Sequence, residues 1–81
     1  MPRPPFREVP LDPPSEWRGV DVRLLRRRLG VSQATFARIL GVERHVVTNW
    51  ERDHRHPPGA CCRLLDILDS YPEAFGEGVR A

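Results

Sequence analysis

Between residues 32 and 51 the apolar positions fall into two short helical stripes separated by a glycine. Phe36, Ala37 and Leu40 recur at helical spacing behind Ser32, a residue suited to cap a helix, so a first short helix buries one narrow face. Gly41 ends it, because glycine takes the left-handed conformation without steric penalty, and Val42 is apolar enough to plug the gap that follows. A second helix is predicted from about Glu43, with Val47 and Trp50 turned inward and Arg44, His45, Thr48 and Asn49 on another face. Upstream, Asp21 can cap a helix from Val22 to about Leu29, with Val22, Leu25 and Leu29 on one side and Arg23, Arg27 and Arg28 largely on the other, and with Gly30 as its stop. Downstream, residues 52–56 make a polar loop and Pro57-Pro58 opens a fourth helix from about Gly59 to Ser70. Its Leu64, Ile67, Leu68 and Tyr71 form a face able to close over the first three helices before Pro72 ends it.

The flanks read differently. Residues 1–17 hold Pro2, Pro4, Pro5, Pro10, Pro13 and Pro14, with Phe6, Val9, Leu11 and Trp17 as anchors, which favours an extended arm over a helix. Residues 76–81 contain two glycines and no apolar pattern, as expected of a frayed tail. The prediction is an all-α protein of four to five short helices: an arm over 1–19, one domain over 20–75 and a tail over 76–81, with no internal repeat. A domain from an 81-residue chain buries only roughly 60% of its unfolded surface, so its stability is modest unless it pairs with itself.

Charge changes the picture more than length does. The formal +2 conceals a segregation: residues 18–63 carry ten arginines against four acids, a local +6, while both flanks are acidic. All 13 basic residues are arginine, a side chain suited to bidentate contact with phosphate and guanine. Cys61 and Cys62 are adjacent on a predicted helix, where successive side chains diverge and a mutual disulfide would distort the backbone, so both are expected reduced. With no signal peptide, no apolar run near the ~20 residues that span a bilayer and no disulfide framework, the expectation is a cytoplasmic protein.

Two short helices hinged at a glycine, apolar inside and polar outside, make a helix-turn-helix, and the stretch Ser32 to Glu51 resembles the lambda-repressor-like (XRE-type) family. Within it the chain is similar to the small HigA-like antitoxin regulators and the helix-turn-helix domain of MqsA. The resemblance covers about residues 20–75 and includes Val22-Arg23-Leu24-Leu25-Arg26, Asn49-Trp50-Glu51, Pro57-Pro58-Gly59, Leu64-Leu65 and Tyr71-Pro72-Glu73. Two positions depart from it: Glu43 stands where the family has Ser or Thr, and Asp53 where it has Gly. Glu is the weaker N-cap, whereas Asp tolerates the left-handed conformation.

The resemblance implies a second motif helix lying in the major groove, with Arg44, His45, Thr48 and Asn49 at the base edges. The chemistry suits this, since Arg pairs with guanine O6 and N7, Asn with adenine N6 and N7, and Thr offers a hydroxyl or a methyl. It further implies that Gln33, with Ser32 at the helix start, braces a phosphate, and that Arg26 and Glu51 form a structural ion pair. Arg38, Arg52 and Arg55 are candidate phosphate contacts on charge alone. The bland reading of all these residues is a solvated amphipathic face.

Other chemistries find less support. His54, His56, Cys61 and Cys62 lack the paired spacing of structural zinc ligands, so no metal and no cofactor is expected. Ser32 and Ser70 have no His and acid arrangement about them, there is no glycine-rich phosphate loop, and an enzyme is not expected. The expected function is sequence-specific binding of double-stranded DNA at an inverted-repeat operator by a homodimer, in transcriptional repression, extending on the resemblance to an autoregulating antitoxin with a cognate toxin partner. The alternatives are a protein-interaction module on a helix-turn-helix scaffold and a small phage or mobile-element regulator. The arm is expected either to place Arg3 and Arg7 in a minor groove or to dock Phe6, Val9, Leu11 and Trp17 on a protein. Leu65, Tyr71 and Phe75 are the expected pairing surface.

Overall fold

The computed structural model describes residues 12–75. Among them are four α-helices, α1 (Gly19–Leu29), α2 (Gln33–Leu40), α3 (Arg44–Glu51) and α4 (Gly59–Ser70), then a single 3-10 turn, Pro72–Phe75, and no strand. The fold is all-α, and no helix among the described residues is long and apolar enough to cross a membrane. Arg3, Arg7, Phe6, Val9, Leu11, the side chain of Phe75 and residues 76–81 lie outside what the structure describes.

Helix α1 begins three residues before the expected start. Arg18 is its N-cap and Asp21 is the third helical residue, an acid in the first turn, its carboxylate accepting the Arg18 backbone N–H at 3.0 Å. An acid there satisfies the cap amide and sits favourably at the positive end of the helix dipole, which is why the residue marks a helix start without being the cap. Both α1 and α2 end the same way: Gly30 and Gly41 adopt φ 74°, where a Cβ would be strained. Val31 and Val42 then donate back to the carbonyls of Arg26 and Ala37 at 3.3 and 3.0 Å, and Gly30 and Gly41 to those of Arg27 and Arg38. At the start of α2, Ser32 Oγ accepts the Thr35 N–H at 3.1 Å.

The core joins Val22 and Leu25 of α1, Phe36, Ala37 and Leu40 of α2, Val47 and Trp50 of α3, and Cys62, Leu65 and Leu68 of α4, with Trp17 and Val31 from the connecting segments. Three expectations are corrected here. Trp17 belongs to the folded domain and not to a partner-seeking arm: it is buried, and its indole donates to Asp66 Oδ1 at 2.9 Å while the Ser15 N–H donates to Asp66 Oδ2 at 2.8 Å. The buried face of α4 is Cys62, Leu65 and Leu68, with Leu64, Ile67 and Tyr71 only half-buried. Leu65 is fully buried and cannot line a pairing surface, because the buried face of α4 is offset by about one residue from the expected one. Among the described residues, the large apolar side chains left exposed are Val20 and Leu24 on α1, at 53% and 59%.

Candidate nucleic-acid interface

Helix α3 packs against α2 and α1, burying Val47, Trp50 and Glu51. Since 3.6 residues make a turn, Arg44, His45, Thr48 and Asn49 fall on other sides of the helix, Arg44 and His45 exposed and Thr48 and Asn49 half-buried. Glu43 precedes the helix in extended conformation and its side chain makes no capping bond, so Arg44 is the first helical residue. Arg38 on α2 and Arg52 and Arg55 just after α3 are exposed. The N–H groups of His54 and Arg55 converge on the Asn49 carbonyl at 2.9 and 3.4 Å, closing the C-terminal end of α3 and leaving His54, Arg55 and His56 in solvent.

Glu51 organises the inner side. Its carboxylate, in a residue only 5% exposed, accepts Arg26 Nε at 2.6 Å and Nη2 at 3.2 Å, and Gln33 Nε2 at 3.1 Å; its backbone carbonyl accepts Arg23 Nη2 at 3.1 Å. Burial pushes the carboxyl up, but the bonds from Arg26 and Gln33 and the charges of Arg26 and Arg23 more than reverse this and hold it below its ordinary value. The same pairing raises the Arg26 guanidinium. Arg26 Nη1 also donates to the Val31 carbonyl at 3.0 Å, so one guanidinium ties α1 to α3 and to the turn before α2.

Gln33 is placed at the start of α2 but faces inward. While Nε2 donates to Glu51, Oε1 accepts the Thr48 hydroxyl at 3.0 Å, and that hydroxyl also lies 3.3 Å from the Arg44 carbonyl. Of the two amide hydrogens of a glutamine, one is thus used inside the protein.

Two groups that position α3 leave little trace in the sequence. Asp53 stands just after the helix at φ 59°, and its Oδ1 accepts the Gly19 N–H at 2.9 Å. An aspartate at a left-handed position can therefore do what glycine cannot, namely fasten the first turn of α1 to the end of α3. Gly19 itself is a contact, since a Cβ on it would stand 2.6 Å from the Glu51 carbonyl oxygen and 2.7 Å from that of Trp50. The signals were Asp in place of the resembled family's glycine and an unexplained glycine before Val20, but neither names its partner more than 30 residues away.

Both cysteines are free; Cys62 Sγ donates to the Pro57 carbonyl at 3.3 Å, and burial pushes its thiol up. Among the described residues no three His, Cys, Asp or Glu side chains come together as a metal site. No protein-family model matches the chain, and no curated protein matches it.

Proposed function

We propose that this chain is a sequence-specific DNA-binding protein that represses transcription by occupying a promoter, with α3 as the helix that enters the major groove. The observation that carries the reading is the division of α3. One side is committed to the core through Val47, Trp50 and Glu51, while Arg44, His45, Thr48 and Asn49, all able to meet a base edge, stay at the surface in the +6 segment of the chain. Exposed Arg38, Arg52 and Arg55 supply phosphate contacts, with Ser32 and Gln33 at the start of α2, where the remaining Gln33 amide hydrogen is available. One α3 reads too few base pairs to single out a site in a genome, so the working unit is a two-fold dimer on an inverted repeat.

The test is selection from a randomised duplex library followed by footprinting. An enriched inverted repeat is expected, protected as two half-sites centred about 10 base pairs apart, with affinity falling steeply with salt. Arg44→Ala should lose roughly 1–3 kcal/mol on that site and relax one base position. A library with no enriched sequence overturns the reading.

A further inference from the structure

Four side chains form a hydrogen-bond relay from the interior to the outer side of α3: Arg26, Glu51, Gln33 and Thr48. Its direction is fixed at the inner end. Arg26 only donates, and the Glu51 carboxylate, ionised beside it, only accepts. The Gln33 amide must therefore turn Nε2 toward Glu51, which leaves Oε1 toward Thr48. Facing an oxygen, the Thr48 hydroxyl must donate. Its other neighbour, the Arg44 carbonyl, stands farther off at 3.3 Å, so Gln33 Oε1 at 3.0 Å is the nearer acceptor and holds the single hydroxyl hydrogen inside the protein. What Thr48 Oγ1 offers outward is a lone pair.

We infer that Thr48 is a specificity-determining residue that acts as a hydrogen-bond acceptor only, selecting a base with an exocyclic amino group in the major groove, and that Gln33 and Glu51 are the positioning residues that impose this polarity. This inference rests on the DNA-binding reading above. In the major groove the amino donors are adenine N6 and cytosine N4, whereas guanine and thymine present carbonyl oxygens at the corresponding places. An acceptor facing O6 or O4 leaves two lone pairs opposed, while the same acceptor facing N6 or N4 closes a bond. Thr48 thus favours adenine over guanine, or cytosine over thymine, at one position of each half-site. A solvated threonine would make no such choice, since a free hydroxyl rotates to donate or accept.

The experiment is library selection with the full chain and with Thr48→Val, Thr48→Ser and Glu51→Gln. Thr48→Val keeps the shape and removes the acceptor, and so identifies the position Thr48 reads. There the unaltered protein should favour A or C over G or T by about fivefold, the worth of one net hydrogen bond. Thr48→Ser should keep the preference. Glu51→Gln, isosteric but able to present an amide nitrogen to Gln33, lets the Gln33 amide turn over and frees the hydroxyl from it, so the preference should fall toward parity. A Glu51→Gln protein that melts cooperatively and keeps the full preference overturns the relay. So does a Thr48-dependent preference for G or T in the unaltered protein, which needs no variant at Glu51 to fold. An unaltered protein that enriches no sequence at all removes the DNA-binding reading, and this inference with it. An enriched site with no Thr48-dependent position removes this inference alone.

Discussion

A Cβ on Gly19 would stand 2.6 Å from the carbonyl oxygen of Glu51, so the first turn of α1 and the last turn of α3 meet backbone to backbone. Gly19→Ala is expected to push the two helices apart and cost about 1–3 kcal/mol, the usual range for overpacking, with the upper end favoured because the opposing atoms are main chain. Gly59→Ala is the control: its added Cβ meets nothing within 4 Å, and the change should be neutral or stabilise by about 0.4–1 kcal/mol. Chemical denaturation of both variants measures this, and equal effects would contradict the close contact.

Asp53 combines a left-handed backbone with a bond to the Gly19 N–H. Asp53→Gly relieves backbone strain of about 1 kcal/mol while losing a bond of similar size, so its midpoint should barely move. Asp53→Ala loses the bond and keeps the strain, and should be the less stable by about 1 kcal/mol. An alanine variant as stable as the glycine variant would show that the φ value carries no cost.

Removing one member of the Arg26 and Glu51 pair leaves either a buried carboxylate or a half-buried guanidinium without its partner. Either alanine substitution is expected to cost about 3 kcal/mol, and the double substitution clearly less than the sum. Coupling near zero in a double-mutant cycle of denaturation free energies would deny the pair any energetic role.

Acid should unfold the protein through two carboxylates. Glu51 is held below its ordinary value as described, and Asp66 likewise: burial pushes it up, and the Ser15 N–H, the Trp17 indole and the Arg63 charge carry it down. A group depressed in the folded state stabilises above its unfolded value and loses that contribution as pH falls through its folded one. Melting temperature should hold between about pH 5 and 7 and drop below about pH 4. Glu51→Gln should be less stable at neutral pH with a shallower acid limb, and an acid limb unchanged in that variant would remove Glu51 from the account.

Trp17→Ala is expected to cost about 3–5 kcal/mol, comparable to emptying any large buried aromatic site, and so to unfold a domain this small under mild conditions. A melt within a few degrees of the parent would put Trp17 outside the core.

The elements held by local chemistry were legible in the sequence, and the long-range contacts were not. Phe36, Ala37, Leu40, Val47 and Trp50 are all buried, because in short helices with one narrow apolar stripe the spacing alone fixes the inner side. In α4 the apolar residues come as neighbours, Cys61 with Cys62, Leu64 with Leu65, Ile67 with Leu68. Two faces about 100° apart then score alike, and only packing against Trp17 and the first three helices chooses between them. Trp17 escapes the pattern for a related reason. Proline-rich flanking sequence describes a backbone without helix, but not whether a side chain on it finds Asp66, 49 residues ahead. Of the proposed interface, the outward residues of α3 could be named from periodicity, whereas the inward turn of Gln33 depends on Glu51 being held by Arg26, a tertiary fact.

The division of α3 between core and surface also sets which positions can drift independently. Arg44 and His45 are exposed and carry no packing, so exchanging them alters what the helix presents while leaving the fold intact. Thr48 is different, because its hydroxyl is shared with Gln33 on another helix. A lineage that loses the hydroxyl at residue 48 without changing 33 leaves a half-buried amide oxygen short of its donor, which costs about 0.5–1.5 kcal/mol in a domain with little to spare. Residues 33 and 48 should therefore covary across descendants of this sequence, while 44 and 45 vary singly.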